Sequence, residues 1–269
     1  MRAPIFVGDV VMKTVVVIGG GQTLGEYICE GFADDGYKVG VADLNGANAA
    51  KVADKINTTH GAELAVGIEV NALDEESVKA CFEAINAQLG SIDILVYSAG
   101  VAKAAKITEF SLDDFNFNVG VNLNGYFLCA REAARYMVAQ GAGGRILQIN
   151  SKSGKVGSKH NAGYSSAKFA GVGLTQSIAL DLADDNITVN SLMLGNLLES
   201  PMFQSLIPQY AQKLGLPEDQ VMGHYIDKVP LKAGCGYDDV LNVLKFYSGE
   251  GAKYCTGQSI NITGGQVMF

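Results

Sequence analysis

Short apolar runs alternate along the chain with longer stretches in which apolar residues recur every three or four positions. The short runs are rich in β-branched residues and are continuously apolar, as expected of strands whose two faces are both covered. This alternation predicts parallel strands joined by crossover helices. The predicted strands are 14–19, 37–43, 63–68, 93–98, 145–151, 187–193 and 258–263. We therefore expect an α/β fold with a doubly wound, seven-stranded parallel sheet and helices on both faces.

The same pattern predicts one domain over residues 12–269, because no repeat, low-complexity tract or Pro/Ser-rich linker divides them. Residues 1–11 precede Met12, which stands just before the first predicted strand, and we interpret them as an N-terminal extension that need not be native. The least regular segment is 195–232, which holds four of the five prolines. Because it follows the carboxyl end of the sixth strand, we predict that it forms a lid over a substrate.

Composition excludes several classes of protein. Charged residues make up only 18% of the chain, against roughly 25% in typical domains, so we expect part of the surface to contact other subunits. The net charge of −8 argues against nucleic-acid binding. No apolar run reaches the roughly 18 residues of a membrane span, and Asp9 interrupts the N-terminal apolar stretch too early for a signal peptide. We expect a cytoplasmic protein without a nucleic-acid or membrane partner.

Cysteine and histidine spacing points to no metal site. The five cysteines are odd in number and contain no C-x-x-C pair, which fits reduced thiols in a cytosol. His60, His160 and His224 lack the spacing of metal ligands, so no metal is expected.

The first chemical signal is a glycine-rich stretch between the first predicted strand and the following helix. Residues 18–25 read IGGGQTLG, in which Gly19 and Gly25 are six apart, as in T-G-x-x-x-G-x-G loops. Glycines here let the backbone approach a pyrophosphate at a helix N-terminus. Asp43 ends the second strand, where a carboxylate would hydrogen-bond the adenosine ribose and repel a 2′-phosphate. The glycine-rich stretch and Asp43 together predict NAD as cofactor. The alternative is a glycine turn followed by a capping aspartate.

The second signal is Tyr164 with Lys168, four residues later, at the start of a predicted helix. Residues four apart share a helix face, so the ammonium can stand near the phenol. A free tyrosine has a pKa of about 10, and a nearby cation favours the phenolate, which makes the side chain a usable acid or base near neutral pH. Ser151 ends the fifth predicted strand nearby. The alternative is a tyrosine packed under the helix with a solvated lysine.

Together these residues resemble the short-chain dehydrogenase/reductase family over essentially all of residues 12–269. The resemblance also uses S-A-G at 98–100, Asn122 in VNLNG, and TGQSINITGG near the C-terminus. It implies a Rossmann-type, dinucleotide-binding catalytic domain. In such a domain Tyr164 is the general acid/base and Ser151 orients the substrate oxygen. Lys168 holds the nicotinamide ribose, and Asn122 maintains a water relay to Lys168. The implied cofactor-binding residues are Gly19, Gln22, Thr23, Leu24, Asp43, Glu69, Val70, Ala99, Gly100, Tyr164, Lys168 and Gly195.

Departures from the family pattern narrow the resemblance. Thr23 replaces the middle glycine of the loop, residues 97–100 read YSAG instead of N-N-A-G, and Leu194 replaces a proline. With the ending TGGQVMF, they resemble a branch of the family that serves bacterial polyol metabolism. That likeness implies oxidation of D-sorbitol 6-phosphate to D-fructose 6-phosphate with NAD, by a cytoplasmic homotetramer. The alternatives are a dehydrogenase of another polyol or polyol phosphate, a carrier-protein acyl reductase, and a non-catalytic dinucleotide-sensing module.

Charge placement separately favours a phosphorylated substrate. The stretch between Ser151 and Tyr164 carries four basic residues and no acid, and Lys103 and Lys106 follow the fourth strand. Both loops leave the carboxyl edge of the sheet, where a cationic pocket can form. Any single loop lysine has the alternative of being solvated, and if none of these residues binds the phosphate, the alternative is the segment 195–232 or backbone amides. The predicted substrate-binding residues are Ser151, Lys152, Lys155, Lys159, His160 and Tyr164.

Overall fold

The computed structural model describes residues 12–269, so the interpretation of residues 1–11 as an extension lies outside the described residues. Seven parallel strands form one sheet in the order β3-β2-β1-β4-β5-β6-β7. Each strand lies within two residues of its sequence prediction, and the predicted parallel α/β sheet is confirmed. The strands are β1 (Thr14–Ile18), β2 (Lys38–Asp43), β3 (Ala65–Glu69), β4 (Ile94–Tyr97), β5 (Gly144–Ser151), β6 (Ile187–Leu194) and β7 (Ser259–Ile262).

Helices cover both faces of the sheet. One face carries α1 (Thr23–Asp34), α2 (Gly46–His60) and α10 (Tyr237–Ser248). The other face carries α3 (Glu75–Leu89), α5 (Gly125–Gln140) and α6 (Ala162–Asp181). Four shorter helices complete the fold: α4 (Leu112–Val119), α7 (Pro201–Ser205), α8 (Ile207–Leu214) and α9 (Glu218–Asp227).

The continuous apolar strands follow from this double cover. In β1, Val15 and Val17 pack into one core and Val16 and Ile18 into the other, and all four are at most 1% exposed. A strand with helices on only one face would need polar residues at every second position.

The order of the strands opens a crevice at the carboxyl edge of the sheet. β1 pairs with β2 on one side and with β4 on the other, so the connections after β1 and β4 leave in opposite directions. Ligands of open α/β sheets bind at such a switch point.

The segment 195–232, predicted to be the least regular, contains three helices. Pro201 lies in the first turn of α7, Pro208 in the first turn of α8, and Pro217 directly before α9. Proline is tolerated in a first helical turn because the backbone N–H that it lacks would have no partner there. These prolines therefore start helices, and reading them as a sign of irregular structure was wrong.

Candidate active site

The glycine loop brings the start of α1 against the end of β4. Gly19 has φ +81°, and a Cβ there would lie 2.8 Å from the backbone nitrogen of Ala99. A Cβ on Gly25 would overlap the carbonyl oxygen of Gly19. Neither position can hold a larger residue in this geometry. Gln22, the residue before α1, makes no side-chain cap, which leaves the first N–H groups of the helix available to a phosphate.

Asp43 stands at the end of β2 beside this loop. Its carboxylate accepts a hydrogen bond from the backbone N–H of Gly21 (2.9 Å) and another from the N–H of Asn45 (2.9 Å). The carboxylate is thus fixed in place and lines the crevice. Together with the open helix N-terminus, it fits the pyrophosphate and adenosine ribose of a dinucleotide.

Ser151, Tyr164 and Lys168 meet where β5 ends and α6 begins. Lys168 is buried, and its Nζ donates to the carbonyl oxygen of Ile149 (3.0 Å) while lying 5.6 Å from the centre of the Tyr164 ring. The Ser151 hydroxyl donates to the phenol of Tyr164 and accepts from the N–H of Ser153 (3.1 Å). The four-residue spacing in the helix and the end of the strand bring the three groups together.

Burial has the largest influence on the pKa values of Tyr164 and Lys168. It raises the pKa of the Tyr164 phenol above 10.0, and the hydrogen bond from Ser151 acts in the opposite direction. Burial lowers the pKa of Lys168 to about 8. Burial, which the sequence interpretation did not consider, is the largest influence on the pKa of the phenol. Below about pH 8 Lys168 remains charged and favours the phenolate of Tyr164.

Asn122 lies in a one-turn π-helix, Gly120–Asn124, inserted between α4 and α5. Its amide donates to the carbonyl oxygens of Val101 (2.8 Å) and Asn118 (2.9 Å). Its Oδ1 is buried with no protein partner. A Cβ on Gly100 would lie 3.1 Å from this oxygen and 3.9 Å from Lys168 Nζ, so both atoms border the space that Gly100 leaves free. This arrangement is compatible with the predicted relay between Asn122 and Lys168.

A cavity of about 800 Å³ connects the glycine loop to Ser151, Tyr164 and Lys168, which we call the Ser-Tyr-Lys group. Glu69 lies outside this cavity, in an adjoining depression that it shares with Gln22 and Asp43. Asn122 does not line the cavity, and its Oδ1 borders the space beside Gly100. The predicted site residues that line the cavity are Gly19, Gln22, Thr23, Leu24, Asp43, Val70, Ala99, Gly100, Ser151, Lys152, Tyr164, Lys168 and Gly195.

The basic residues after β5 do not all reach the cavity. Lys152 lines it. Lys155 turns away, since its Nζ donates to the carbonyl oxygen of Ser259 in β7 (2.8 Å). Among the described residues that line the cavity, neither Lys159 nor His160 occurs. The chain bends at His160, which has φ +67°, and its carbonyl oxygen accepts from the N–H of Ala105 (2.9 Å).

Sequence reasoning did not single out several residues of α7 to α9 that line the cavity, among them Phe203, Tyr210, Lys213 and Tyr225. The rings of Phe203, Tyr210 and Tyr225 contact one another with centroids 5.3 Å apart. A signal was available, because Tyr210 and Lys213 are three apart and share a face in any helix. Treating the segment as irregular concealed it.

Two further kinds of feature are absent from residues 12–269. No group of three or more His, Cys, Asp or Glu side chains there could hold a metal ion. No helix in that range is long and apolar enough to cross a bilayer.

Comparison with known proteins places the chain. Residues 13–211 match the short chain dehydrogenase family. The chain is 62% identical to Sorbitol-6-phosphate 2-dehydrogenase of Escherichia coli K12, over 96% of this chain and 99% of that protein. It is 34% identical to 3-oxoacyl-[acyl-carrier-protein] reductase FabG of Aquifex aeolicus, over 94% and 96%. The crystal structure of sorbitol-6-phosphate 2-dehydrogenase SrlD from Erwinia amylovora superposes with a TM-score of 0.94 at 65% identity, covering 95% of this chain and all of that one. With its glycine loop and its Ser-Tyr-Lys group in one cavity, the chain belongs to the short-chain dehydrogenase family.

Proposed function

We propose that this chain is an NAD-dependent sorbitol-6-phosphate 2-dehydrogenase. It transfers a hydride from C2 of D-sorbitol 6-phosphate to NAD and gives D-fructose 6-phosphate and NADH, reversibly. The observation that carries the proposal is one cavity that holds Asp43, the Ser-Tyr-Lys group and two lysines, Lys152 and Lys213. The near-full-length likeness to relatives of that name supports the substrate.

The chain's own residues divide the work of the reaction. Ser151 donates a hydrogen bond to the substrate oxygen and holds C2 in place, and Tyr164 takes the proton from the C2 hydroxyl as the carbonyl forms. Lys168 keeps a positive charge beside the phenolate and binds the nicotinamide ribose. NAD, when bound, would accept the hydride that leaves C2. The proton on Tyr164 then leaves past Lys168 and Asn122, whose free Oδ1 can accept a hydrogen bond from a water molecule.

Asp43 favours NAD over NADP. Two backbone N–H groups fix its carboxylate at the end of β2, where the adenosine ribose would bind. A 2′-phosphate there would meet a negative charge that cannot turn away.

We also expect a homotetramer in the cytoplasm. All five cysteines are free, which suits a reducing compartment. Large apolar side chains on α5, α6 and α10 are exposed in the single chain, among them Phe127, Leu180 and Phe246, and oligomer interfaces are where such side chains are usually covered.

The decisive experiment is a substrate panel on the purified protein. Sorbitol 6-phosphate, another hexitol phosphate, free sorbitol and a 3-oxoacyl thioester are each supplied with NAD or NADP, reduced or oxidised as the substrate requires. We expect the highest kcat/KM with sorbitol 6-phosphate and NAD. A higher kcat/KM with another polyol phosphate would contradict the proposed substrate. A higher kcat/KM with the thioester and NADPH would contradict the proposed reaction.

A further inference from the structure

Three lysines lie together at the end of the cavity away from the glycine loop, and we call them the lysine cluster. Lys152 follows Ser151 directly, Lys213 lies near the end of α8, and Lys228 follows the last residue of α9. Lys152 and Lys213 line the cavity. Lys228 is exposed and does not line the cavity, but its charge repels those of Lys152 and Lys213, and Lys159 repels Lys213 as well.

The positive charges of the cluster are not balanced by acids. Burial lowers the pKa of Lys152 to about 8, and repulsion by Lys228 and Lys213 adds to that effect. Among residues 12–269, no carboxylate lies within 4.0 Å of any of the three ammonium groups. In a chain of net charge −8, cations held together without an acid indicate a site for an anion.

Neutral partners position two of the ammonium groups and leave donors free. Lys152 Nζ donates to Oε1 of Gln266 (2.7 Å), and Lys213 Nζ donates to the carbonyl oxygen of Lys159 (2.8 Å). An ammonium has three N–H donors, so each of the two retains donors for another acceptor. These hydrogen bonds therefore fix the positions of both ammonium groups before any ligand binds.

Tyrosines connect the cluster to the reacting end of the cavity. Lys213 Nζ lies 5.9 Å from the centre of the Tyr210 ring, and the Tyr210 phenol in turn acts on Tyr164 and raises its pKa. Lys228 Nζ lies 5.8 Å from the centre of the Tyr225 ring. A substrate with its hydroxyl at Tyr164 would therefore extend along Tyr210 toward the lysines.

We propose that Lys152 and Lys213, assisted by the charge of Lys228, form the subsite that binds the phosphate group of the substrate. The inference rests on the proposed function for the identity of the substrate, and it adds the residues that select a phosphate ester over a free polyol. In place of Lys155, Lys159 and His160, which the sequence predicted to bind the substrate, it assigns the phosphate to lysines of α8 and of the end of α9. Phosphate binding at this remote end also orients C2, so part of its effect lies in kcat.

The first test is the ratio of kcat/KM for sorbitol 6-phosphate to kcat/KM for sorbitol. We expect Lys152→Met and Lys213→Met each to lower this ratio by about tenfold or more, equivalent to about 1.4 kcal/mol. Lys228→Met has a smaller effect in the same direction, because solvent screens an exposed charge. A ratio taken on one preparation is independent of the fraction of protein that is folded.

The matched control is Lys253→Gln, which also removes one positive charge. Lys253 is exposed and precedes β7, at the amino edge of the sheet and away from the cavity, so its ratio should stay at the parent value. Lys155→Met and Lys159→Met test the sequence-based alternative. Ratios within about threefold of the parent for both Lys152→Met and Lys213→Met would overturn the subsite, as would a larger loss in Lys155→Met or Lys159→Met.

A second test does not need turnover. Inorganic phosphate is titrated calorimetrically into the NAD-saturated protein and into the NAD-saturated Lys152→Met/Lys213→Met variant. We expect the variant to bind phosphate at least about tenfold more weakly, and equal binding would overturn the subsite. If the parent oxidises no polyol phosphate and this difference persists, the proposed function fails and the anion subsite stands.

Discussion

Tyr164 has one oxygen that can accept the substrate proton, and its ring contributes most of the side-chain volume. Tyr164→Phe removes the acceptor and leaves the packing of α6 unchanged. We expect turnover to fall by about 100- to 10,000-fold, the usual contribution of general acid/base catalysis. NAD affinity, measured by calorimetry, should stay close to the parent value. Turnover within about threefold of the parent would contradict the role of Tyr164.

Asp43 is the residue on which cofactor choice depends. Asp43→Ala removes the ribose hydrogen bonds and the charge, so we expect weaker NAD binding and a higher ratio of NADP use to NAD use. Asp43→Asn is the matched control, because it keeps the shape and removes only the charge. It should raise the NADP ratio while retaining more of the NAD affinity. Equal use of both cofactors by the parent would already contradict this role.

Lys168 makes the stability of the unliganded protein depend on pH. Its pKa is about 8 in the folded chain against 10.5 when unperturbed. A charged Lys168 therefore destabilises the folded state below about pH 8, and this cost disappears as the pH rises toward 10.5. The free energy of unfolding of Lys168→Met minus that of the parent should fall by about 2 to 3 kcal/mol between about pH 7 and about pH 10. Urea unfolding without NAD, at one protein concentration, measures the difference; a difference that does not vary with pH would refute the prediction.

The residues found from the sequence are those whose neighbours are close in the chain. Tyr164 and Lys168 are one helical turn apart, and Ser151 and Asp43 each end a strand. Lys213 lies far from Ser151 in sequence and meets the cavity only because α8 and α9 fold back over it. No local spacing encodes that contact. Closeness in sequence is not sufficient either, because three of the four basic residues that follow Ser151 do not line the cavity.

At the scale of elements, the junction of β1 and α1 depends on a close contact between two backbones. A Cβ on Gly25 would overlap the carbonyl oxygen of Gly19, so Gly25→Ala must displace the glycine loop, which we expect to bind the pyrophosphate. We expect NAD affinity to fall by at least about tenfold, equivalent to about 1.4 kcal/mol, with a lower melting temperature. Gly223→Ala is the matched control, since Gly223 lies within α9 and a Cβ added there would meet no atom within 4 Å. Unchanged NAD affinity in Gly25→Ala would contradict the role of the contact.

Strands were easier to predict than the remaining elements for a physical reason. A strand covered on both faces is expected to be continuously apolar, and β1 and β4 carry that signal clearly, whereas the edge strand β7 reads SINI and is only partly buried. The π-helical turn at Gly120–Asn124 has no such signature, because it depends on how the Asn122 amide meets the carbonyl oxygens of Val101 and Asn118. The helices after β6 were missed because proline is read as a helix breaker unless its place in the first turn is known.

At the scale of the whole molecule, charge is distributed unevenly. The chain has a net charge of −8, yet the cavity carries Lys152, Lys168 and Lys213. A negative net charge disfavours an extended anionic partner such as nucleic acid and still allows one small anion in a cavity. The sign of the net charge follows from the sequence, but the place where the lysines come together depends on the tertiary fold.

The last prediction concerns assembly. Leu180 on α6 is 81% exposed in the single chain, and Phe127 on α5 is 41% exposed. Apolar side chains of this size favour a subunit contact over water, at about 25 cal/mol per Å² covered. We expect light scattering at micromolar concentration to give four times the mass of the chain. Because folding is then coupled to association, the melting temperature should rise with protein concentration. A monomer mass with a melting temperature independent of concentration would rule out the tetramer and leave these side chains facing solvent.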